Sequence, residues 1–334
     1  MRIAFSPSVY EHAAFLLGKR PWDVSRNQDL LWKAHRRAYL TYQHDPIVVG
    51  IDIYNLEAEA YGAEIREPQG NGIPAVEVPI YDSLDETRAL EPFDPAEAGR
   101  IPMVIDVAMT LADEFESAKV LVPLSGPFSI AVSLRGINGL LMDIATDPDK
   151  SRDFLMRLVE GQVRFATTVA KVDGVDVAFF ESAAAPPLLS PAQFREIELP
   201  ALKETMRRVG EAVGHPVPCV IGGNTEPIIE DVLSTGTNYV ICPAETDQER
   251  FMAHFEKRAD VRVRVNLDPL TVAKGSPDKI LAEVDRIIAL AKGRPNILLG
   301  TGALPYETPP ENVKLMKLYA SGNPDDLKQA GMKT

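Results

Sequence analysis

Apolar and polar positions along the chain fall into two alternating rhythms. Runs rich in β-branched and other apolar residues occur at 2–6, 46–52, 119–125, 176–182, 217–222, 238–242, 261–266 and 296–300. Between them lie stretches with helical spacing, at 28–42, 102–116, 148–172, 191–213, 226–233, 248–257, 277–291 and 310–320. Several begin with proline in the first turn, where its missing N–H costs nothing. Strands alternating with helices predict a parallel sheet with right-handed crossovers, and eight of them favour a closed (α/β)8 TIM barrel over an open sheet. The chain is read as one such domain, residues 1–334. Its segment 64–95 has the alternation of an exposed hairpin and is expected to cross the barrel mouth, and its tail 321–334 is expected to pack loosely.

A barrel collects the polar residues at its strand C-termini on one face, where barrel enzymes keep their chemistry. In chain order the candidates include Asp52, Ser125, Glu181, Ser182, Gly223, Asn224, Glu245, Asn266 and Thr301. Asp52 follows Ile47-Val48-Val49-Gly50-Ile51, so an ionisable group ends a buried strand; it serves either the chemistry or as a cap for the helix that starts near Asn55. Glu57 and Glu59 are two residues apart and cannot share a helical face, so at most one looks into the site, and Glu57 stands nearer the strand end. Glu181, after an apolar run, is either a second catalytic acid or the partner of a loop arginine. Gly222-Gly223-Asn224-Thr225 is a strand-to-helix turn that can hold a carboxylate or phosphate, or else a tight turn capped by Asn224 or Thr225.

Composition narrows the classes. A net charge of −13 argues against nucleic acid or an anionic membrane as the main partner. With two cysteines, Cys219 and Cys242, no disulfide framework is expected. The absence of an 18-residue apolar run and of a signal-peptide pattern leads to the expectation of a soluble, cytoplasmic protein. The five histidines are scattered, and no Cys-x-x-Cys or His-x-Cys pair occurs. A metal set of Glu181, Cys242 and another acid is one reading of the cysteines; two buried thiols is the other.

These segments together resemble the uroporphyrinogen decarboxylase superfamily, single (α/β)8 barrels that include the cobamide-dependent methyltransferases. The likeness runs from about 44 to 313. Asp45-Pro46-Ile47-Val48-Val49-Gly50-Ile51-Asp52-Ile53 resembles the strand ending in the decarboxylase's catalytic aspartate, whereas Glu57-Ala58-Glu59-Ala60-Tyr61-Gly62-Ala63-Glu64 is closer to the methyltransferase branch. Ser125-Gly126-Pro127-Phe128 and Leu188-Leu189-Ser190-Pro191-Ala192-Gln193-Phe194 are similar to both.

Two departures matter. The decarboxylase's N-terminal arginine loop, which serves a highly carboxylated porphyrinogen, is missing, and Lys33, Arg36 and Arg37 lie on a predicted helix instead. Where thiol-activating methyltransferases keep zinc ligands, this chain has Val220, Gly222 and, in the last strand, Thr301; the decarboxylase's last-strand histidine is also replaced by Thr301. The resemblance therefore implies an enzyme without tightly bound cofactor or zinc. It implies a methyltransferase component taking a small methylated substrate with a corrinoid protein as partner, in a barrel of a kind that often forms homodimers. In this reading Asp52 and Glu181 are catalytic, and Glu57, Ser125, Ser182, Gly223, Asn224, Glu245, Asn266 and Thr301 bind substrate. The alternatives are a lyase, a cofactor-independent decarboxylase of a porphyrin-like or smaller acid, and a non-catalytic ligand-binding barrel.

Overall fold

A computed structural model describes residues 3–291 and 293–322. Eight parallel strands form one sheet: β1 (Ala4–Ser8), β2 (Ile47–Val48), β3 (Val120–Ser125), β4 (Val175–Phe180), β5 (Cys219–Val220), β6 (Tyr239–Cys242), β7 (Arg262–Leu267) and β8 (Ile297–Ala303). The order β1-β8-β7-β6-β5-β4-β3-β2 is that of a nearly closed TIM barrel with its seam between β1 and β2. Each expected strand run contains an observed strand or overlaps one, but β2 is far shorter than its apolar run. The chain leaves the sheet at Gly50, whose N–H donates to the imidazole Nε2 of buried His35 (2.9 Å).

Period-two alternation separates two apolar layers. Leu121, Ala178, Phe180, Val220 and Ile241 face inward and pack with Ile53 and, at their edge, Tyr10, Val48, Tyr54 and Tyr239. Their chain neighbours Val122, Val177, Phe179, Cys219, Val240 and Cys242 face outward, into the larger core between strands and helices. Both cysteines are therefore buried thiols of the outer layer. Helices absent from the sequence reading include Tyr10–Leu17, Pro127–Arg135 and Ile137–Thr146. The helix Pro127–Arg135 buries Pro127, Phe128, Ser129, Ile130, Ala131 and Leu134, so it lacks the polar face that makes a helix recognisable. No single helix among the described residues is long and apolar enough to cross a membrane.

The expected hairpin is reduced to Ile65–Arg66 paired antiparallel with Ala75–Val76, and a 3-10 turn follows at Glu86–Ala89. The expected loose tail falls outside the described residues from 323 onward; Ser321 and Gly322 close the helix Pro310–Ser321.

The Gly-x-Gly of β8 has a packing cause. A Cβ on Gly300 would stand 2.5 Å from Cδ of Arg264 and 2.7 Å from the carbonyl oxygen of Ser6, so only glycine lets the Arg264 stem lie across the barrel. Gly300→Ala is expected to destabilise the fold by about 1–3 kcal/mol, as overpacking does, measured by chemical denaturation. Wild-type stability in that variant would show that the stem has room to move.

Candidate functional site

The mouth of the barrel holds a cleft of about 540 Å³. Of the residues expected in the site, Asp52, Ser182, Gly223, Glu245 and Asn266 line it. So do Ser8, Tyr10, Glu11, Tyr54, Phe180, Val220, Ile241 and Arg264, together with Ile73, Pro74 and Ala75 from the excursion. The remaining candidates do not reach it.

Glu57 and Ser125 correct the expectation that they bind substrate. Both are fully buried behind the rim, where Glu57 accepts hydrogen bonds from the Ser125 N–H (2.6 Å) and hydroxyl (2.9 Å). Their polar atoms satisfy each other, and burial pushes the Glu57 carboxyl up to about 7 against those bonds. Glu59, on another face of the same short helix, pairs with Arg26 and Arg100. Asn224 is exposed and accepts from the Thr246 hydroxyl (3.1 Å), and that hydroxyl in turn accepts from the Glu226 N–H (2.9 Å). Neither Asn224 nor Thr225 caps the following turn through its side chain; Thr246 does. Thr301, also fully buried, joins β8 to β1, its hydroxyl accepting from the Ser8 N–H (3.2 Å).

Glu181 likewise points away from the cleft. Its carboxylate caps the helix Pro127–Arg135, accepting from the N–H groups of Phe128 (3.2 Å) and Ser129 (2.8 Å) and from the Ser129 hydroxyl (2.7 Å). A Cβ at Gly126 would fall on this carboxylate, so the glycine of Ser125-Gly126-Pro127-Phe128 serves the cap. The expected arginine partner is replaced by a helix N-terminus. Fully buried Glu198, in the π-helical turn Phe194–Glu198, stands close to Glu181, with both of its carboxyl oxygens unpartnered. Two neighbouring carboxyls so far from water cannot both ionise, so Glu198 holds a proton. Burial and the neighbouring Glu181 push it well up, and burial pushes Glu181 up to about 7.

Asp52 borders the cleft, but Arg100 grips it with two bonds of 2.8 Å, and the Asn55 amide donates to it (3.0 Å). Its side chain does not cap the turn that follows. Arg100 also bonds to Glu59 and to the Ser25 carbonyl (3.0 Å), which makes Asp52 part of a buried ionic knot.

The residues missed from the sequence are those that give the cleft its character. Arg264, 7% exposed, has its Nε unpartnered and only a 3.4 Å contact from Nη1 to the Ser6 carbonyl. No carboxylate pairs with it among the described residues. A buried, unpaired cation costs several kcal/mol, so the position asks for an anion. The signal was present in Arg262-Val263-Arg264-Val265-Asn266, a strict alternation that puts the valines in the outer core and Arg264 and Asn266 inside, with Arg262 exposed at the start of the strand. Glu11, in the first turn of the helix Tyr10–Leu17, is desolvated, and burial pushes its carboxyl up to about 7 against a backbone hydrogen bond. It can give or take a proton near neutrality. Burial likewise pushes the Tyr10 phenol up to about 12 and that of Tyr54 further, so both stay O–H donors. Tyr54 hydrogen-bonds to the Ser182 hydroxyl (2.7 Å), which accepts from the Gly222 N–H (3.2 Å).

The side chains present do not fit zinc. Val220 and Gly222 offer no side-chain ligand atom in the cleft, Thr301 is tied to Ser8, and Cys242 lies in the outer core. Glu181 and Cys242 thus do not form the metal set considered from sequence. No group of three or more His, Cys, Asp or Glu is placed for a metal among the described residues.

Two outcomes follow. Asp52→Asn, by removing one partner of a buried pair, is expected to cost about 3–5 kcal/mol in chemical denaturation; a neutral result would free Asp52 for other work. The Glu181 carboxyl is raised from 4.5 to about 7 and that of Glu198 well above 4.5, so the stability that Glu181 contributes in its neutral form is full below about pH 4.5 and is lost as pH rises through about 7. Glu198→Gln keeps a neutral side chain of the same shape beside Glu181, so the melting temperature is expected to rise at pH 8 and stay unchanged at pH 5. An equal change at both would show that ionisation of Glu198 does not limit stability.

Known proteins repeat this frame. The family profile described as Uroporphyrinogen decarboxylase (URO-D) matches residues 6–320. A uroporphyrinogen decarboxylase from Synechococcus sp. (strain CC9902) is 26% identical over 299 residues, covering 86% of this chain and 81% of the relative. The methylcobamide:CoM methyltransferase MtaA of Methanosarcina barkeri (strain Fusaro / DSM 804) is 24% identical over 265 residues, covering 77% and 74%. Among solved structures, a methyltransferase from Methanosarcina mazei superposes with a TM-score of 0.81 at 20% identity, over 96% of this chain and 94% of that one. With residues 6–320 matched and the barrel in common, the chain belongs to the uroporphyrinogen decarboxylase family.

Proposed function

We propose that this chain is an enzyme of the methyltransferase kind, which binds a small methyl-bearing substrate in the barrel cleft and works with a corrinoid carried by a partner protein. The observation that carries this reading is the charge of the cleft: one cation, Arg264, against Glu11, Asp52 and Glu245 among the lining residues. A porphyrinogen with many carboxylates needs several paired donors, whereas a small substrate needs one. The cleft volume of about 540 Å³ suits a small molecule. Exposed Ile73, Leu188 and Leu270 belong to segments at the strand C-terminal face and offer apolar contact for a protein seated over the mouth. The similarity to MtaA, whose name states a methylcobamide substrate, supports the same branch.

When present, the corrinoid supplies or accepts the methyl group. The chain's own residues bind the substrate, hold protons at Glu11 and the two phenols, and wall it with Phe180, Val220 and Ile241. Asp52, expected as the catalytic acid or anchor, acts in this reading by holding Arg100 and the rim. Zinc has no part.

Loss of CO2 from a small acid without a cofactor is a second reading, favoured by Glu11, whose raised carboxyl can protonate carbon as CO2 leaves. The purified chain with free cob(I)alamin and a series of small methylated acids separates the two. Methylcobalamin formation, followed by its absorbance, is the expected outcome. Cobalamin-independent CO2 release would replace this reading with the second, and neither product with any acid would leave a binding barrel.

A further inference from the structure

The most unusual side chain in the molecule is a buried arginine without a counter-charge, and the surroundings of Arg264 have been shaped to keep it so. Gly300 surrenders its side chain to the arginine stem, and the guanidinium meets no carboxylate among the described residues. The three acids of the cleft are otherwise occupied or distant: Asp52 is held by Arg100, Glu245 is exposed on the rim, and Glu11 is desolvated toward its neutral form. Arg264 also borders a smaller cavity of about 80 Å³ deeper in the barrel, with Leu121, Ala178 and Tyr239, so it sits at the floor of the cleft.

Donors converge on the same place. Asn266, two residues on and therefore on the same face of β7, is 2% exposed and lines the cleft with its side-chain oxygen unpartnered. Rotation of that amide presents its NH2 to an acceptor. The Tyr10 and Tyr54 rings flank Phe180 edge-on, with centroids 6.2 and 6.4 Å away, and complete a wall that is polar at its tips and apolar in its body.

We propose that Arg264 and Asn266 form an anion subsite at the floor of the cleft, which makes the substrate a small organic acid with one carboxylate or sulfonate. A phosphate, carrying nearly two charges, would call for a second cation that the lining lacks. The remainder of such a molecule would lie along Phe180, Val220 and Ile241 toward the mouth. This assignment rests on the reading that the cleft takes the substrate, yet it does not depend on which reaction follows.

The test uses the purified full chain without corrinoid and without turnover, so failure of methyl transfer and failure of the subsite are read separately. Propionate and methanesulfonate, with propionamide as the uncharged control, are titrated at constant ionic strength and followed by melting temperature and calorimetry. The two anions are expected to bind and stabilise the wild type while propionamide does not. Arg264→Gln is expected to lose roughly tenfold or more in anion affinity, and Arg264→Lys to retain part of it. If Arg264→Gln does not fold, Arg264→Lys and Asn266→Ala carry the measurement, each with weaker anion binding expected. Equal response of the wild type to propionate and propionamide, or anion affinity unchanged in every folded variant, would overturn the proposal.

Discussion

A positive charge placed inside a parallel barrel constrains everything within reach of it. The inner faces of the eight strands supply mostly apolar side chains, and Arg264 enters that space from β7 with its Nε unsatisfied. The neighbouring strand accommodates it by omitting a side chain at Gly300, and a carbonyl from β1 gives it a weak contact. Aromatic rings rather than carboxylates form the adjoining wall. A fold that needed the arginine only for stability would have paired it, as the same chain pairs Arg100 with Asp52 and Glu59.

The other acids of the strand ends have been drawn into construction. Asp52 ties the rim to Arg100, Glu57 holds the end of β3, and Glu181 closes a helix N-terminus beside buried Glu198. Each lies at or near a strand C-terminus, as expected of a barrel site, yet each meets its partners behind the cleft or at its edge. Family membership explains why the frame survives, since relatives with quite different printed activities share it. The chemistry has to be read from the cleft, where this chain has Val220 and Gly222, and behind it a tethered Thr301, at positions that the resemblance associates with zinc or a catalytic histidine.

Legibility differed by element for physical reasons. Long amphipathic helices such as Pro277–Ala291 were readable because one face meets water. The helix Pro127–Arg135 was not, because it is buried on nearly every side. Buried thiols, one of the two readings of the cysteines, are what the structure has, with Cys219 and Cys242 in the outer layer. The same rule applied to Arg262-Val263-Arg264-Val265-Asn266 would have found Arg264, but charges next to valine read as a solvated strand until the barrel closes around them.

The order of strands and helices, the (α/β)8 architecture and the face on which the site lies were determined by local sequence, because periodicity and proline placement act within a few residues. Which polar side chains meet the cleft was decided only by tertiary structure. Ser182, Gly223, Glu245 and Asn266 reach the cleft, while Glu57, Ser125, Glu181, Asn224 and Thr301 turn to partners elsewhere. The reason is that burial penalises a polar group left without a partner, and for these side chains the partner belongs to a segment distant in the chain: Glu57 to Ser125, Glu181 to Ser129, Thr301 to Ser8. Among the described residues no acid pairs with Arg264, and the proposed anion subsite rests on that side chain.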